Sequence, residues 1–290
     1  MGWLKLRISE WVLIFYFAYV AAIWPWFRDR PHLSYQVLVE LIAVIALLIS
    51  LARIAEGRFA KTVSITRDWL PLLLTLAAFR EMEWLLPGRF DHHYESAWIQ
   101  WDRLILDNWH IRAAIESFNG AIPFYFEFCY LLVYALGAFC IALLYIERQR
   151  AVVDRFLTLF LVGTLSAYAL FPYFPSQPPR ILFPDVAPPA VTSWVRHLNL
   201  WILSKATIHV GVFPSAHVSE AFSAAWAMFL LLPNKKIYGW GLLLYAISVS
   251  VATVYGRYHY AVDVIAGFGI SLIAGGLCVF FKHRGDVSSA

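Results

Sequence analysis

The apolar residues of this chain fall into eight long blocks, at about 10–27, 34–53, 68–86, 121–146, 155–172, 215–232, 237–256 and 261–281. Each is near the roughly 20 residues that a helix needs to cross a bilayer. A chain in hydrocarbon must satisfy its own backbone N–H and C=O groups, and a helix does so within one segment. The expected fold class is therefore all-α, a polytopic transmembrane bundle of about eight helices. Composition agrees, with 61% apolar and only 14% charged residues, against roughly 25% charged in a soluble domain. Many of the 13 Trp lie near block ends, where their rings suit the membrane interface. The third block is the weakest, because Arg80, Glu81 and Glu83 crowd its end and are expected to pair with one another. No small-residue cleavage site follows the first block, which reads as an uncleaved helix.

Lys and Arg in short loops set orientation. Lys5 and Arg7, the segment 53–67, the segment 148–155, Lys235 with Lys236, and Lys282 with Arg284 all fall on one side if every block spans. That side, with both termini, is expected to be cytoplasmic. Segments 28–33, 87–120, 173–214 and 257–260 then face the periplasm, the exterior or a lumen. The loop 87–120 alternates aromatic and charged residues and reads as one or two amphipathic helices on the outer interface. Without repeats or linkers, residues 1–290 form a single membrane domain. Residues 1–120 supply amino-terminal helices and the outer loop, and 121–290 a catalytic core with motifs at 173–185, 213–220 and 255–264. No basic run suggests nucleic acid. Cys129, Cys140 and Cys278 sit in apolar runs and read as small core residues.

Ionisable residues at the edge of the last block need a reason to be there. His259 and Asp263 are spaced i, i+4, which puts both on one helical face about 5–6 Å apart at Cβ. The Asp can hold the imidazole in one tautomer and free the other nitrogen to attack or take a proton. An isolated pair of this kind equally serves to pin two helices. A second segment, VGVFPSAHVSEA at 210–221, places Pro214 and Ser215 where a helix begins. Ser is a preferred N-cap, and free N–H groups at a helix start bind anions. His217 lies in that first turn, beside the backbone of Ser215 and Ala216.

The chain then runs about 16 residues down, turns at PNKK and climbs about 19 to Tyr255, roughly 24 and 28 Å. His217 and His259 therefore return to one depth on neighbouring helices. A third segment, YFPSQPPRILFPD at 173–185, reads as a stiff extended loop presenting Arg180 on the same side. Arg suits bidentate phosphate recognition, and Arg257 is a second candidate. Together these residues suggest phosphoryl transfer through histidine. Neutral His attacks phosphorus, protonated His serves the leaving oxygen, and N–H groups with Arg stabilise the equatorial oxygens. This chemistry requires no metal or cofactor. Two His and one Asp could instead hold zinc, but the sequence has no compact motif such as H-E-x-x-H. Tyr255, and His92 with His93 on the outer loop, are candidate substrate contacts. Glu40 and Glu127 read as partners of neighbouring helices, and Glu220, three residues after His217, either faces the site or, the reading preferred, bonds a neighbouring helix.

Over roughly 173–270 the residues resemble the type 2 phosphatidic acid phosphatase superfamily. PSAH at 214–217 is similar to its second motif, Pro-Ser-Gly-His, with Ala216 for Gly. His259 and Asp263 match the His and Asp of its third motif, whose Arg falls at Thr253. Tyr173 and Arg180-Ile181 occupy the places of its first motif, Lys, six residues, Arg-Pro. The resemblance implies His259 as nucleophile, His217 as general acid and Asp263 as orienter. FPSAH followed by YGRYHYAVDVIAG is more similar to inositol phosphorylceramide synthases, and His-Tyr-x-x-Asp-Val to sphingomyelin synthases. That branch implies transfer of a phospho-head group from a phospholipid to a hydroxyl acceptor such as inositol, ceramide or diacylglycerol. The alternatives are a phosphatase of lipid phosphates or polyprenyl pyrophosphates, and a transporter or scaffold without catalysis.

Overall fold

The computed structural model describes residues 5–27, 35–86, 92–117, 120–186, 188–189, 191–208 and 210–287, with side chains described to residue 277. Among these, every regular element is helical. The amino-terminal helices are α1 (Ile8–Ile23), α2 (Gln36–Ile54) and α3 (Ala60–Leu85). Two short helices follow, α4 (His93–Asp102) and α5 (Ile111–Glu116). The pair α6 (Ala121–Leu132) and α7 (Leu136–Ile146) is joined by one 3₁₀ turn, and α8 (Val153–Leu170) comes next. Then come α9 (Pro179–Leu182), α10 (Trp194–Ala206), α11 (Ala216–Leu231), α12 (Lys236–Tyr255) and α13 (Ala261–Val287).

Among the described residues, five segments are long and apolar enough to cross a membrane: Ile8–Phe27, Gln36–Ile54, Ala121–Ile146, Arg150–Tyr173 and Lys236–Tyr255. Ala261–Leu277 is apolar but shorter. Of the eight expected blocks, α11 is only 16 residues long. Helix α3 has the length but carries Arg67, Asp68, Glu81 and further charges. Large side chains such as Ile42, Leu73, Leu244 and Ile273 face outward and stay exposed, as lipid-facing positions do.

Helix α8 sits at the centre and packs on α1, α3, α11 and α13. Close contact with α11 comes at Gly163, whose carbonyl accepts from the Ser219 hydroxyl at 2.8 Å. One end of the bundle is tied by charges. Arg67 donates to both oxygens of buried Glu10 at 2.6 Å, and Asp68 accepts from Arg7 and Arg150. Lys235, in the turn after α11, pairs with Glu147 before α8. The basic segments thus gather at the end of α11 away from His217. Glu81 does not share the Arg80–Glu83 ion pair of 2.8 Å; it is buried, and its carboxylate has no hydrogen-bond partner among the described residues.

Residues 28–33, 87–91 and 118–119, within the expected outer loops, lie outside the described residues, as do the side chains of Cys278, Lys282 and Arg284. Two expectations for these loops change. The segment 173–214 holds two helices, and Arg180 rides on one-turn α9 rather than on an extended loop. Pro179 explains this, because a proline at the first helical position loses no needed N–H and presets φ. The outer segment after residue 92 does hold two short helices, and α5 buries no residue, but α4 turns one face inward. Helix α4 buries Glu95, Trp98, Ile99 and Asp102, an i, i+3, i+4, i+7 stripe turned into the protein.

Candidate active site

Helix α11 begins at Ser215, whose extended backbone and side chain cap the first turn by accepting from the Val218 N–H at 3.4 Å. The N–H groups of Ala216 and His217 open the helix and have no partner one turn earlier. The Ser215 N–H donates to the Asp263 carbonyl at 3.0 Å, which docks this start against α13. Gly267 makes the docking possible. A Cβ there would lie 2.4 Å from the Ser215 carbonyl oxygen.

Between α12 and α13 the chain turns sharply. The Thr253 carbonyl accepts from the N–H groups of Tyr258 at 2.9 Å and His259 at 3.1 Å, and Arg257 takes a left-handed φ of 60°. Asp263 is fully buried in the first turn of α13. Its Oδ2 accepts from the Tyr260 N–H at 2.9 Å and lies 3.2 Å from His259 Nδ1. The imidazoles of His217 and His259 meet edge to face with centroids 5.9 Å apart. His217 is wedged against Tyr130 and Tyr134 at 5.3 and 5.5 Å. The Arg180 N–H donates to the Arg257 carbonyl at 3.1 Å, and its guanidinium lies over the Tyr258 ring. Burial and nearby Arg180 push His259 down to about 3, opposed in part by a hydrogen bond with the Val212 backbone. His217 shares this burial and the nearby Arg180, so both imidazoles are held neutral, and the charge of an anion between them is what would favour a proton on either. Burial also lowers Arg180.

These groups line one end of a cavity of about 550 Å³. Arg180, His217, His259 and Ala216 stand there with Glu220 and Tyr258. The rest is mostly apolar, with Leu72, Leu73, Leu76 and Phe79 of α3 along one wall and Ile202 and Ala206 of α10 close by. Leu73 and Leu76 remain more than half exposed, at 64% and 62%, so the cavity opens sideways at α3.

Not every candidate reaches it. Arg257 is buried but does not line the cavity; its charge neighbours are Arg112, Asp102 and Glu116. Tyr255 packs on Phe126 of α6. His92 and His93 stand at the start of α4, where His92 Nδ1 lies 3.4 Å from Glu95, and neither lines the cavity. Thr253 bonds the Ser250 carbonyl with its hydroxyl, so Arg180 alone among these basic candidates faces the cavity. Glu127 is an interhelical partner as expected, accepting from Arg196 at 2.7 Å and Asn199 at 2.8 Å. It also accepts from the Tyr258 hydroxyl at 2.6 Å, which fixes the ring beneath Arg180.

Sequence reasoning missed the part played by α4. Glu95 Oε1 accepts from the Gln177 N–H at 2.8 Å, and Asp102 Oδ1 from the Ala261 N–H at 2.7 Å. Trp98 stacks on Phe213 with centroids 4.7 Å apart. One helix thereby grips all three motif segments. The signal was present, since both carboxylates fall on the apolar stripe of the helix, where a charge needs a buried partner.

A family model of the PAP2 superfamily matches residues 97–277, well over half of the chain. The chain belongs to the PAP2 superfamily. The matched region starts within α4 and includes α6 and α7, so it reaches further forward than the motifs suggest. A PA-phosphatase related-family protein of Dictyostelium discoideum is 27% identical over 142 residues, which cover 43% of this chain and 24% of that protein. The chain thus aligns with about a quarter of that relative's length. No solved structure matches. Helices α1 to α3 lie outside the family region, yet α3 walls the cavity that the PAP2 motifs head.

Proposed function

We propose that this PAP2 protein is a membrane-embedded lipid phosphoesterase working through a phosphohistidine. The observation that carries the reading is the convergence of His217, His259, Asp263 and Arg180 at one end of a side-opening apolar cavity. A lipid phosphate enters between helices and lays its chain along α3, with its head at the histidines. Asp263 holds Nδ1–H of His259, and Nε2 attacks phosphorus. The P–O bond to the lipid alcohol breaks, and His217 gives its proton to the departing oxygen. Water then attacks the phosphohistidine, returns a proton to His217 and releases inorganic phosphate. Arg180 and the N–H groups of Ala216 and His217 hold the equatorial oxygens, while Ser215 caps the helix that presents them. The step uses proton transfer and fixed dipoles alone.

The similarity of FPSAH and HYAVDV to head-group transferases supports a second reading, in which a hydroxyl acceptor replaces water. In either reading the site faces away from the cytoplasm, because it lies at the end of the bundle opposite the basic segments. The test is turnover of chain-labelled phosphatidic acid, a polyprenyl pyrophosphate and phosphatidylinositol, with and without ceramide or diacylglycerol. His259→Ala is the control. Acceptor-independent phosphate release is expected. A new phospholipid formed only with an acceptor makes the protein a transferase, and wild type equal to His259→Ala on every lipid overturns both readings.

A further inference from the structure

Arg180 meets the cavity with its charge unspent. Among the described residues its guanidinium makes no ion pair and no hydrogen bond, and it lies over the ring of Tyr258 with Cζ 5.5 Å from the centroid. An acid in that place would neutralise the cation and occupy its N–H groups. An aromatic face attracts a guanidinium through its quadrupole and leaves the N–H donors to another partner. The ring itself is fixed from several sides. Tyr258 is 1% exposed, its N–H donates to the Thr253 carbonyl at 2.9 Å, and it stacks on Tyr130 of α6 with centroids 3.9 Å apart. Its hydroxyl donates to buried Glu127 at 2.6 Å. Glu127 also accepts from Arg196 at 2.7 Å and Asn199 at 2.8 Å, both on α10. Glu127 thus has a counter-ion of its own and does not compete for Arg180.

We infer that Tyr258 is a positioning residue for the phosphate site: its ring, anchored by Glu127 and Tyr130, holds the Arg180 guanidinium aimed into the cavity. A long side chain immobilised on binding forfeits rotamer freedom, and a contact that fixes it beforehand removes part of that loss. The aim counts here because Arg180, unlike Arg257, lines the cavity. Tyr258 lines the same end, but its hydroxyl is engaged with Glu127, so the ring and not the hydroxyl carries the role. The inference rests on the proposed phosphate site and names the residue that sets the direction of its cation.

The experiment titrates vanadate against the full chain in detergent micelles and reads affinity from the thermal shift. The proteins are wild type, Tyr258→Phe, Tyr258→Leu, Arg180→Ala and the double variant of Arg180→Ala with Tyr258→Leu. Tyr258→Leu is expected to weaken vanadate by about three- to tenfold, the scale of immobilising one long side chain. Once Arg180 is already Ala, the same change should cost less than about twofold, because the two residues act through one contact. Tyr258→Phe keeps the ring and should bind within about twofold of wild type, while the lost bond to Glu127 lowers its melting temperature. A tyrosine that only stabilises the fold would not separate binding from stability in this way. Tyr258→Phe variants with a progressively fluorinated ring read the same contact should Tyr258→Leu not fold. Fluorine keeps the shape and drains negative charge from the face, so vanadate affinity should fall step by step. Wild-type affinity in Tyr258→Leu, an equal loss with and without Arg180, or fluorination without effect overturns the positioning role and leaves the phosphoesterase reading standing. No saturable vanadate binding by wild type, with His259→Ala equal to wild type on the lipid panel, overturns the phosphoesterase reading and the positioning role with it.

Discussion

The imidazoles of His217 and His259 lie face to edge, 5.9 Å apart, although 41 residues separate them and one enters from the first turn of α11, the other from the turn between α12 and α13. In the proposed mechanism this gap receives a tetrahedral phosphorus, with His259 attacking and His217 protonating. Replacing either His with Ala is expected to lower turnover by at least about 100-fold, the lower end of what a positioned acid or base contributes. The two variants should differ in kind. A lipid analogue with a good leaving group, such as a nitrophenyl phosphodiester, should partly restore His217→Ala and leave His259→Ala inactive. Equal rescue of both would remove the division of roles.

Asp263 does two jobs, since its side chain meets His259 and its carbonyl holds the Ser215 N–H. Asp263→Asn changes only the first. Turnover should fall by about 100- to 10,000-fold as the His259 tautomer is lost. Thermal unfolding in detergent should shift little, and a large shift would assign Asp263 to stability instead.

Gly267→Ala tests the docking of α11 on α13. Its Cβ would meet the Ser215 carbonyl oxygen at 2.4 Å and Val218 Cβ at 3.3 Å, and backbone cannot swing aside as a long side chain does. Overpacking of this kind costs about 1–3 kcal/mol. Turnover should drop more than stability, because the displaced group is the N-cap of the helix proposed to hold the phosphate. Gly269, with open space around its Cβ position, is the control, and its Ala variant should retain activity.

Arg180 and Arg257 should separate cleanly. Arg180→Ala is expected to weaken vanadate or phosphate binding at least about tenfold, because a charge-assisted contact is lost. Arg257→Gln should leave that affinity within about twofold. A thermal-shift titration with vanadate reads both, and the opposite ranking would place the phosphate on the Arg257 side of the turn.

The α4 clamp carries a pH signature. Burial, the largest cause, raises Asp102 to about 6 despite the Ala261 N–H that favours its charged form. A carboxyl raised on folding gives stability that is full below its unfolded value near 4 and is lost as pH rises through about 6. Asp102→Asn keeps the acceptor and removes the titration. The variant should match wild type near pH 4 and exceed it above pH 6, by up to about 3 kcal/mol. His259 slopes the other way, losing stability as pH falls from its unfolded value near 6.5 toward about 3, but it is common to both proteins and cancels in the difference. A pH-independent difference would show that Asp102 does not titrate in the clamp.

The sequence by itself determined the helical class, most block boundaries and the pairing of His259 with Asp263. Those features depend on local periodicity, on block length against bilayer thickness and on i, i+4 spacing. It also placed His217 and Arg180 near the site, because short turns and helix lengths leave little freedom. The tertiary structure decided what depends on packing direction. Arg180 rather than Arg257 lines the cavity because Pro179 starts a helix, while the turn after Tyr255 buries Arg257 among the charges of α4 and α5. Glu127 and Glu220 are each a lone acid in an apolar run, yet one meets Arg196 and the other opens into the cavity. Periodicity places a side chain on a face of its helix, and only the neighbouring helices decide what that face meets.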